Sequence, residues 1–452
     1  MKFPSYLLLT LCISGCSILK SEPAATADAT PPPGYNPVYI TGIKKITSPP
    51  TERPAFYLSR SEATEPNRIR LFSHMVDSAG NYLSGASSSK LRSMWCRLTD
   101  VCAGRTDIIK DFKLREVSEN DHIPTAIVLA MDHSGSMGEP RALAVQEAAS
   151  KFISMKMPED AFALIKYDGH IGVESPLSND GQLLQSRLQK TGLTGFGGFT
   201  AIGDAIESGI DLLAKTQGYD RKAIVVFTDG KDNSSTLTRD SVIRNARRNG
   251  VIVCAVDFGE NIDPGYMTEV ANSTGGIHEQ VYRTGEFESV FQDLYRKLKN
   301  YYVIEYTPRS YGQHTVSMKL CLPRDTAIAE RTFDNSPKAG EVAFLDITFN
   351  VDQADIQPAS EEALTNAEYL LKAFPTMTVE VRGHTDNTGD SQHNKTLSER
   401  RAQAVRAALV KRGVAANRIV AKGFGDSMPI ADNSTEDGRA RNRRTEFVIL
   451  TQ

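Results

Sequence analysis

Asp132, Ser134 and Ser136 stand on alternate residues of Asp-His-Ser-Gly-Ser-Met, directly after the apolar run Ile127 to Met131. A carboxylate and two hydroxyls spaced by small Gly135 can converge from one loop at the carboxyl end of a buried strand, where open α/β sheets hold their ligands. Two more oxygens lie downstream: the hydroxyl of Thr200, closing Gly-Phe-Gly-Gly-Phe-Thr, and the carboxylate of Asp229. All five donors are hard oxygens, a chemistry that selects Mg²⁺, Mn²⁺ or Ca²⁺ over zinc. The glycine-rich loop lacks the Gly-Lys-Ser/Thr ending of a P-loop, so its glycines read as backbone slack around Thr200.

Each donor needs an element to deliver it. The apolar run before Asp132 is too short for a free-standing helix and suits a strand buried on both faces, as does Ile224 to Phe227 ahead of Asp229. Ile202, Ile206, Ile210 and Leu213 form one stripe of a helix that starts just after Thr200. Val145, Ala148, Ala149, Phe152 and Met155 mark another helix, ended by Pro158, and Phe162 to Ile165 and Val251 to Val256 add strands. This alternation, over residues 123–300, predicts an α/β domain with a doubly wound, mostly parallel sheet. The Asp-x-Ser-x-Ser loop with its spaced Thr and Asp resembles the metal-ion-dependent adhesion site of the von Willebrand factor A (VWA) family. The resemblance implies that Ser134, Ser136 and Thr200 approach a divalent metal, and that Asp132 and Asp229 hold it directly or through water. It also implies an open metal position for a carboxylate from a protein partner.

Residues 342–452 alternate again: Val342 to Phe349, a helix from Glu361 to Phe374 after the cap Ser360, Thr376 to Val381, a helix from Asn394 to Lys411 stopped by Gly413, and a strand at Thr445 to Leu450. The pattern predicts an α/β sandwich. Gly383-His384-Thr385-Asp386-Asn387-Thr388-Gly389, Asn394, Leu397-Ser398-Glu399-Arg400-Arg401-Ala402, Gly423-Phe424-Gly425 and Asn442-Arg443-Arg444 are similar to the OmpA-like peptidoglycan-binding domain. The resemblance implies paired ligand residues at Asp386 and Arg401, with Asn394 also in the peptidoglycan site. The implied ligand is diaminopimelate of the stem peptide, which carries an ammonium and a carboxylate on one carbon. A fixed carboxylate and a forked guanidinium answer those two charges. On a helix Arg401 shares a face with Leu397, Val405 and Ala408, so it leaves from the apolar side and needs an anionic partner. Arg400, Arg441 and Arg443 read as solvated surface charge.

At the amino terminus, Lys2, the apolar run Tyr6 to Ile13, then Ser14, Gly15 and Cys16 have the layout of a secretory signal over residues 1–16. Ile-Ser-Gly-Cys resembles a bacterial lipobox, which implies a lipidated Cys16; Ser17 after it, rather than Asp, favours the outer membrane. Residues 17–60, rich in Ala, Thr and Pro, predict a disordered tether with a reach of roughly 100 Å. Residues 61–122 read as β-rich, with strands at Ile69 to Val76 and Phe112 to Val117 and a turn at Asp77 to Asn81. Residues 301–325 read likewise, with Tyr302 to Tyr306 and Thr315 to Leu322. Either these pieces form one β-sandwich into which the metal-site domain is inserted, or they are separate edges of that domain. Residues 326–341 read as a linker. Of the six cysteines, Cys12 and Cys16 belong to the signal. In an oxidising compartment, Cys96 and Cys102 are expected to close a small loop, and Cys254 is an inert core thiol or bonds Cys321.

A net charge of -3 over 452 residues argues against nucleic-acid binding. No later run of about 18 apolar residues offers a membrane span, which leaves the lipid anchor. The expectation is therefore an outer-membrane lipoprotein on the periplasmic face that holds peptidoglycan and presents a metal site to a protein partner. It would serve in envelope adhesion, as a scaffold or in a secretion apparatus, and not as an enzyme. One alternative is a metal-dependent hydrolase in which the ion activates water, although the nearby His133 alternates away from Asp132 and Ser134. The other is a metal-independent wall anchor, which would not need the five-donor set.

Overall fold

The computed structural model describes residues 28–64, 68–191, 197–259, 265–336, 338–340, 342–345, 347–350 and 352–451. The expected signal peptide, with Cys12, Cys16 and Ser17, lies outside them. Among the described residues no helix is long and apolar enough to cross a membrane.

The central sheet runs in the order Ile171–Ser178, Ala161–Tyr167, Thr125–Asp132, Arg221–Thr228, Val251–Phe258, His278–Val281. Its pairings are parallel except at the Ile171–Ser178 edge, as the alternation predicts. Every residue of Thr125–Asp132 is buried, because helices cover both faces. Phe152 of the helix Gly138–Ser154 and Phe287 and Phe291 of Phe287–Lys299 fill one side. Ile206 and Ile210 of Ile202–Ala214, with Val242 of Arg239–Arg248 and Val270 of Tyr266–Thr274, fill the other. Each such side chain contributes roughly 1.5–3 kcal/mol on burial, so the loops at the carboxyl edge stand on a rigid base.

The flanking pieces meet in a β-sandwich. One sheet orders Gly42–Lys45, Asn81–Ser84, Arg68–Val76, Tyr301–Tyr306 and Lys113–Val117, with Ala55–Thr64 also on Arg68–Val76; the other orders Thr326–Asp334, Gln313–Cys321, Trp95–Cys102 and Arg105–Ile109. Leu71, Tyr82, Trp95, Leu98, Tyr302, Ile304, Val316 and Met318 share one core between the sheets. The chain thus enters the sandwich both before and after the parallel sheet.

Two expectations are corrected here. The tether does not extend through residue 60: Gly42–Lys45 and Ala55–Thr64 are strands. Ile40 is buried, with its N–H on Asp293 Oδ1 at 2.7 Å and its carbonyl accepting from Arg296 Nη1 at 2.9 Å. Proline-rich composition hid a segment whose order comes from contacts more than 200 residues away in sequence. The expected linker is likewise a strand over Thr326–Asp334, antiparallel to Gln313–Cys321. Its inward residues Ala327 and Ala329 are too small to print a strong alternation.

The disulfide joins Cys96 to Cys321, and Cys102 and Cys254 are free and buried. The Cys96 to Cys102 expectation fails because both lie on the strand Trp95–Cys102, where six residues of extended chain span about 20 Å. Cys321 ends the neighbouring antiparallel strand and comes within 5.8 Å Cα to Cα of Cys96. Cys96→Ser together with Cys321→Ser should lower unfolding free energy by about 2–5 kcal/mol, measurable as a shifted urea midpoint. An unchanged midpoint would show that the bond does not clamp the sandwich.

The last unit is a sheet ordered Val342–Leu345, Thr445–Thr451, Thr378–His384, Ile419–Gly425, with the helices Glu361–Ala373 and Ser391–Lys411 on one face. Two glycines let Ser391–Lys411 approach closely: a Cβ at Gly383 or Gly423 would overlap Ser398 or Glu399. The helix that bears Arg401 is thereby seated directly on its strands.

Candidate metal centre and candidate ligand cleft

The five oxygen donors read from the sequence come from three loops at the carboxyl edge of the parallel sheet. Asp132 ends its strand fully buried; its Oδ1 accepts from Ser134 N–H at 2.8 Å and its Oδ2 from Thr228 Oγ1 at 2.7 Å. Ser134 Oγ lies 3.1 Å from Ser136 Oγ, and Ser136 Oγ donates to Asp229 Oδ1 at 2.7 Å. A Cβ built on Gly230 would sit 3.7 Å from both Ser136 Oγ and Thr200 Oγ1, so Thr200 faces the same small volume. Ser136 is exposed at the mouth, while Ser134, Thr200 and Asp229 are buried.

Burial pushes Asp132 up to about 6, against the hydrogen bonds from Ser134 and Thr228. A carboxylate so desolvated is poised for a cation. Among the described residues no group of three or more His, Cys, Asp or Glu is placed to hold a metal, so hydroxyls and water would have to complete the shell. Two carboxylates with three hydroxyls around one volume fit a hard divalent ion, and Asp132, Ser134, Ser136, Thr200 and Asp229 would hold it. His133 is buried, and burial, with the charge of Lys166, pushes its imidazole down to about 4.

Several residues that position the donors were missed by sequence reasoning. Asp168, after the strand Ala161–Tyr167, accepts from Gly197 N–H at 3.0 Å through its carboxylate and from Ala201 N–H at 2.8 Å through its carbonyl, bracketing Thr200. Asn233 meets Thr200 reciprocally: Thr200 N–H donates to Asn233 Oδ1 at 2.8 Å and Asn233 N–H to the Thr200 carbonyl at 3.0 Å. Arg141 donates to Asp229 Oδ2 at 2.6 Å. Thr228 carried a signal, being a hydroxyl at the end of a buried strand; the rest are contacts across sequence distance. Asn233→Ala removes the side-chain half of the Thr200 clasp and should cost about 1 kcal/mol in urea unfolding. A variant as stable as the parent would mean the clasp is not needed to hold the loop.

In the last unit Asp386 follows the strand Thr378–His384 and is buried, accepting from Thr388 N–H at 2.9 Å and from Arg443 Nη1 at 2.7 Å. Burial alone would raise its carboxyl, but the bonds from Arg443 and Thr388 win and hold it below the usual range. Arg443 is therefore corrected from solvated surface charge to the ion-pair partner of Asp386. It is part of the Asn-Arg-Arg ending and reaches Asp386 from 57 residues away, a distance that local pattern does not report.

Arg401 is half-buried. Its Nε donates to the Gln353 carbonyl at 2.9 Å and Nη2 to the Asn350 carbonyl at 3.2 Å, with the guanidinium 5.0 Å over the Phe349 ring. Its guanidinium lies within electrostatic reach of Asp352, Asp386 and Arg443. Asn394 is buried and donates to the carbonyls of Asp386 at 3.3 Å and Thr388 at 3.1 Å. Its amide shapes the loop that presents Asp386. Asp386, bonded to Arg443, and Arg401, held on two backbone carbonyls, set a carboxylate and a second guanidinium within electrostatic reach of each other, charges that a zwitterion answers.

Residues 126–297 match the von Willebrand factor type A domain, and residues 348–443 match the OmpA family. The chain thus carries a VWA domain and a C-terminal OmpA domain. It is 45% identical over 108 residues to outer membrane porin F of Pseudomonas fluorescens, a match covering 24% of this chain and 33% of that protein. It is 46% identical over 103 residues to the peptidoglycan-binding protein ArfA of Mycobacterium tuberculosis (strain ATCC 25618 / H37Rv), covering 23% and 32%. The chain spans about a third of the length of these two relatives. Among solved structures, von Willebrand factor type A from Catenulispora acidiphila aligns with 64% of this chain and 74% of its own at 12% identity and a TM-score of 0.37.

Proposed function

We propose that this chain, with its VWA and OmpA domains, is an envelope protein with two grips and one display site. The OmpA domain grips peptidoglycan, with Asp386 taking the ammonium of diaminopimelate and Arg401 its carboxylate, and Asn394 holding the Asp386 loop. The observation that supports this reading is the buried carboxylate of Asp386 within electrostatic reach of the Arg401 guanidinium. The name of the relative ArfA, a peptidoglycan-binding protein, supports it. The second grip is acylated Cys16 in the outer membrane, supported by the Ile-Ser-Gly-Cys motif.

Between the grips, the VWA domain displays Asp132, Ser134, Ser136, Thr200 and Asp229. These five residues would hold Mg²⁺, or Mn²⁺ or Ca²⁺, and the ion, when bound, would supply Lewis-acid attraction for a carboxylate offered by a protein partner. The reading assigns no catalytic step to the chain. Its test is co-sedimentation of the purified chain with peptidoglycan sacculi: the chain should pellet with them, and a chain left in the supernatant would overturn the wall grip.

A further inference from the structure

We propose that Arg141 sets the balance between metal and partner at the VWA site: by neutralising Asp229 it loosens the hold on the divalent ion and leaves the loaded site cationic toward an incoming carboxylate. This inference rests on the metal-dependent reading of the site.

The two carboxylates of the donor set live in different electrostatic settings. Asp132 is held by neutral donors, the Ser134 N–H and the Thr228 hydroxyl. Asp229 gives Oδ1 to the Ser136 hydroxyl and Oδ2 to the guanidinium of Arg141, at 2.7 Å and 2.6 Å. The pair is enclosed, with 15% of the Arg141 side chain and 1% of the Asp229 side chain exposed. Arg141 is fixed from two further directions: Nη1 also lies 3.3 Å from the Ser136 carbonyl, and the guanidinium sits 4.7 Å over the Phe258 ring. The guanidinium brings a fixed positive charge to the site.

A divalent ion between two carboxylates alone would be neutral overall. With Arg141 in place the loaded centre carries one net positive charge, and a carboxylate from outside completes it. Arg141 therefore lowers affinity for the ion by like-charge repulsion and raises affinity for the anion that follows. By linkage, the anion then tightens the ion by the same factor that the ion tightens the anion. If Arg141 were merely a staple between the helix Gly138–Ser154 and the Asp229 loop, removing it would loosen the donors and weaken ion binding. The two roles predict opposite signs.

The experiment is a Mn²⁺ titration of the full chain, following free Mn²⁺ by electron paramagnetic resonance, for the parent, Arg141→Gln, Arg141→Met and Arg141→Lys. Arg141→Gln should bind Mn²⁺ more tightly, on the order of tenfold. Arg141→Met, which keeps apolar contact with Phe258, should do the same if the glutamine variant folds poorly. Arg141→Lys keeps the charge and should stay within about twofold of the parent. With acetate as the carboxylate probe, Mn²⁺ affinity should rise in the parent and rise less in the neutral variants. Neutral variants that fold and bind Mn²⁺ equally or more weakly would overturn the role of Arg141. A parent that takes up no Mn²⁺ would overturn the metal reading itself, a separate result.

Discussion

Asp386→Ala should release the chain from peptidoglycan, with affinity for sacculi falling by about a hundredfold. The carboxylate is buried and already aligned by Thr388 N–H and Arg443, so no reorganisation is needed when an ammonium arrives. Truncating one partner of a desolvated, hydrogen-bonded charge pair costs about 2–5 kcal/mol, and a hundredfold loss, about 2.7 kcal/mol, lies toward the lower end of that range. Arg401→Ala should reduce binding as much. Arg401→Lys should recover only part, because an ammonium cannot take a carboxylate in the forked geometry. The measurement is a co-sedimentation isotherm with purified sacculi, paired with a thermal melt to show that each variant folds. Asp386→Ala binding like the parent would remove this pair from the wall grip and place the affinity elsewhere on the domain.

The second large effect concerns the metal. In the parent, Mg²⁺ at a hundred times its dissociation constant should stabilise the VWA domain by about 2.7 kcal/mol, seen as a rise of a few degrees in melting temperature over the same sample in EDTA. Asp132→Ala should abolish that rise and, with it, any partner recovered in Mg²⁺ and lost in EDTA. In EDTA the variant should melt no lower than the parent. Asp132 lies wholly buried and, with its carboxyl pushed up to about 6 by burial, is a cost to the ion-free fold. A Mg²⁺-dependent rise that survives in Asp132→Ala would move the ion away from this loop.

Much of both sites was legible because the donors are tied to local pattern. A buried parallel strand reads as an unbroken apolar run, so Ile127 to Met131 and Ile224 to Phe227 announce where a strand stops. The residue that follows, Asp132 or Thr228 with Asp229, is then at the carboxyl edge. Helix periodicity placed Thr200 and Arg401 in the same way. Residue type, spacing and element ends were enough to name the five oxygen donors, whereas Asp386 and Arg401 were put together only by resemblance to a family, and in the structure the ion pair on Asp386 comes from Arg443.

What escaped were relations set by strands and loops that meet only in three dimensions. Cys96 has Cys102 nearer in sequence, yet an extended strand holds those two apart while sheet register brings Cys321 alongside. Arg443 reads as surface charge until the fold brings the segment ahead of Thr445–Thr451 beside the loop after Thr378–His384. Arg141, Asp168 and Asn233 have no motif, and each acts on a donor or on the loop that carries one, through a contact that folding creates. Residue identity and element period are local properties, so the candidate oxygens and charges can be named from the order of residues in the chain. Which neighbours neutralise, clasp or cross-link them depends on register and packing between segments far apart in the chain, and becomes visible only in the folded molecule.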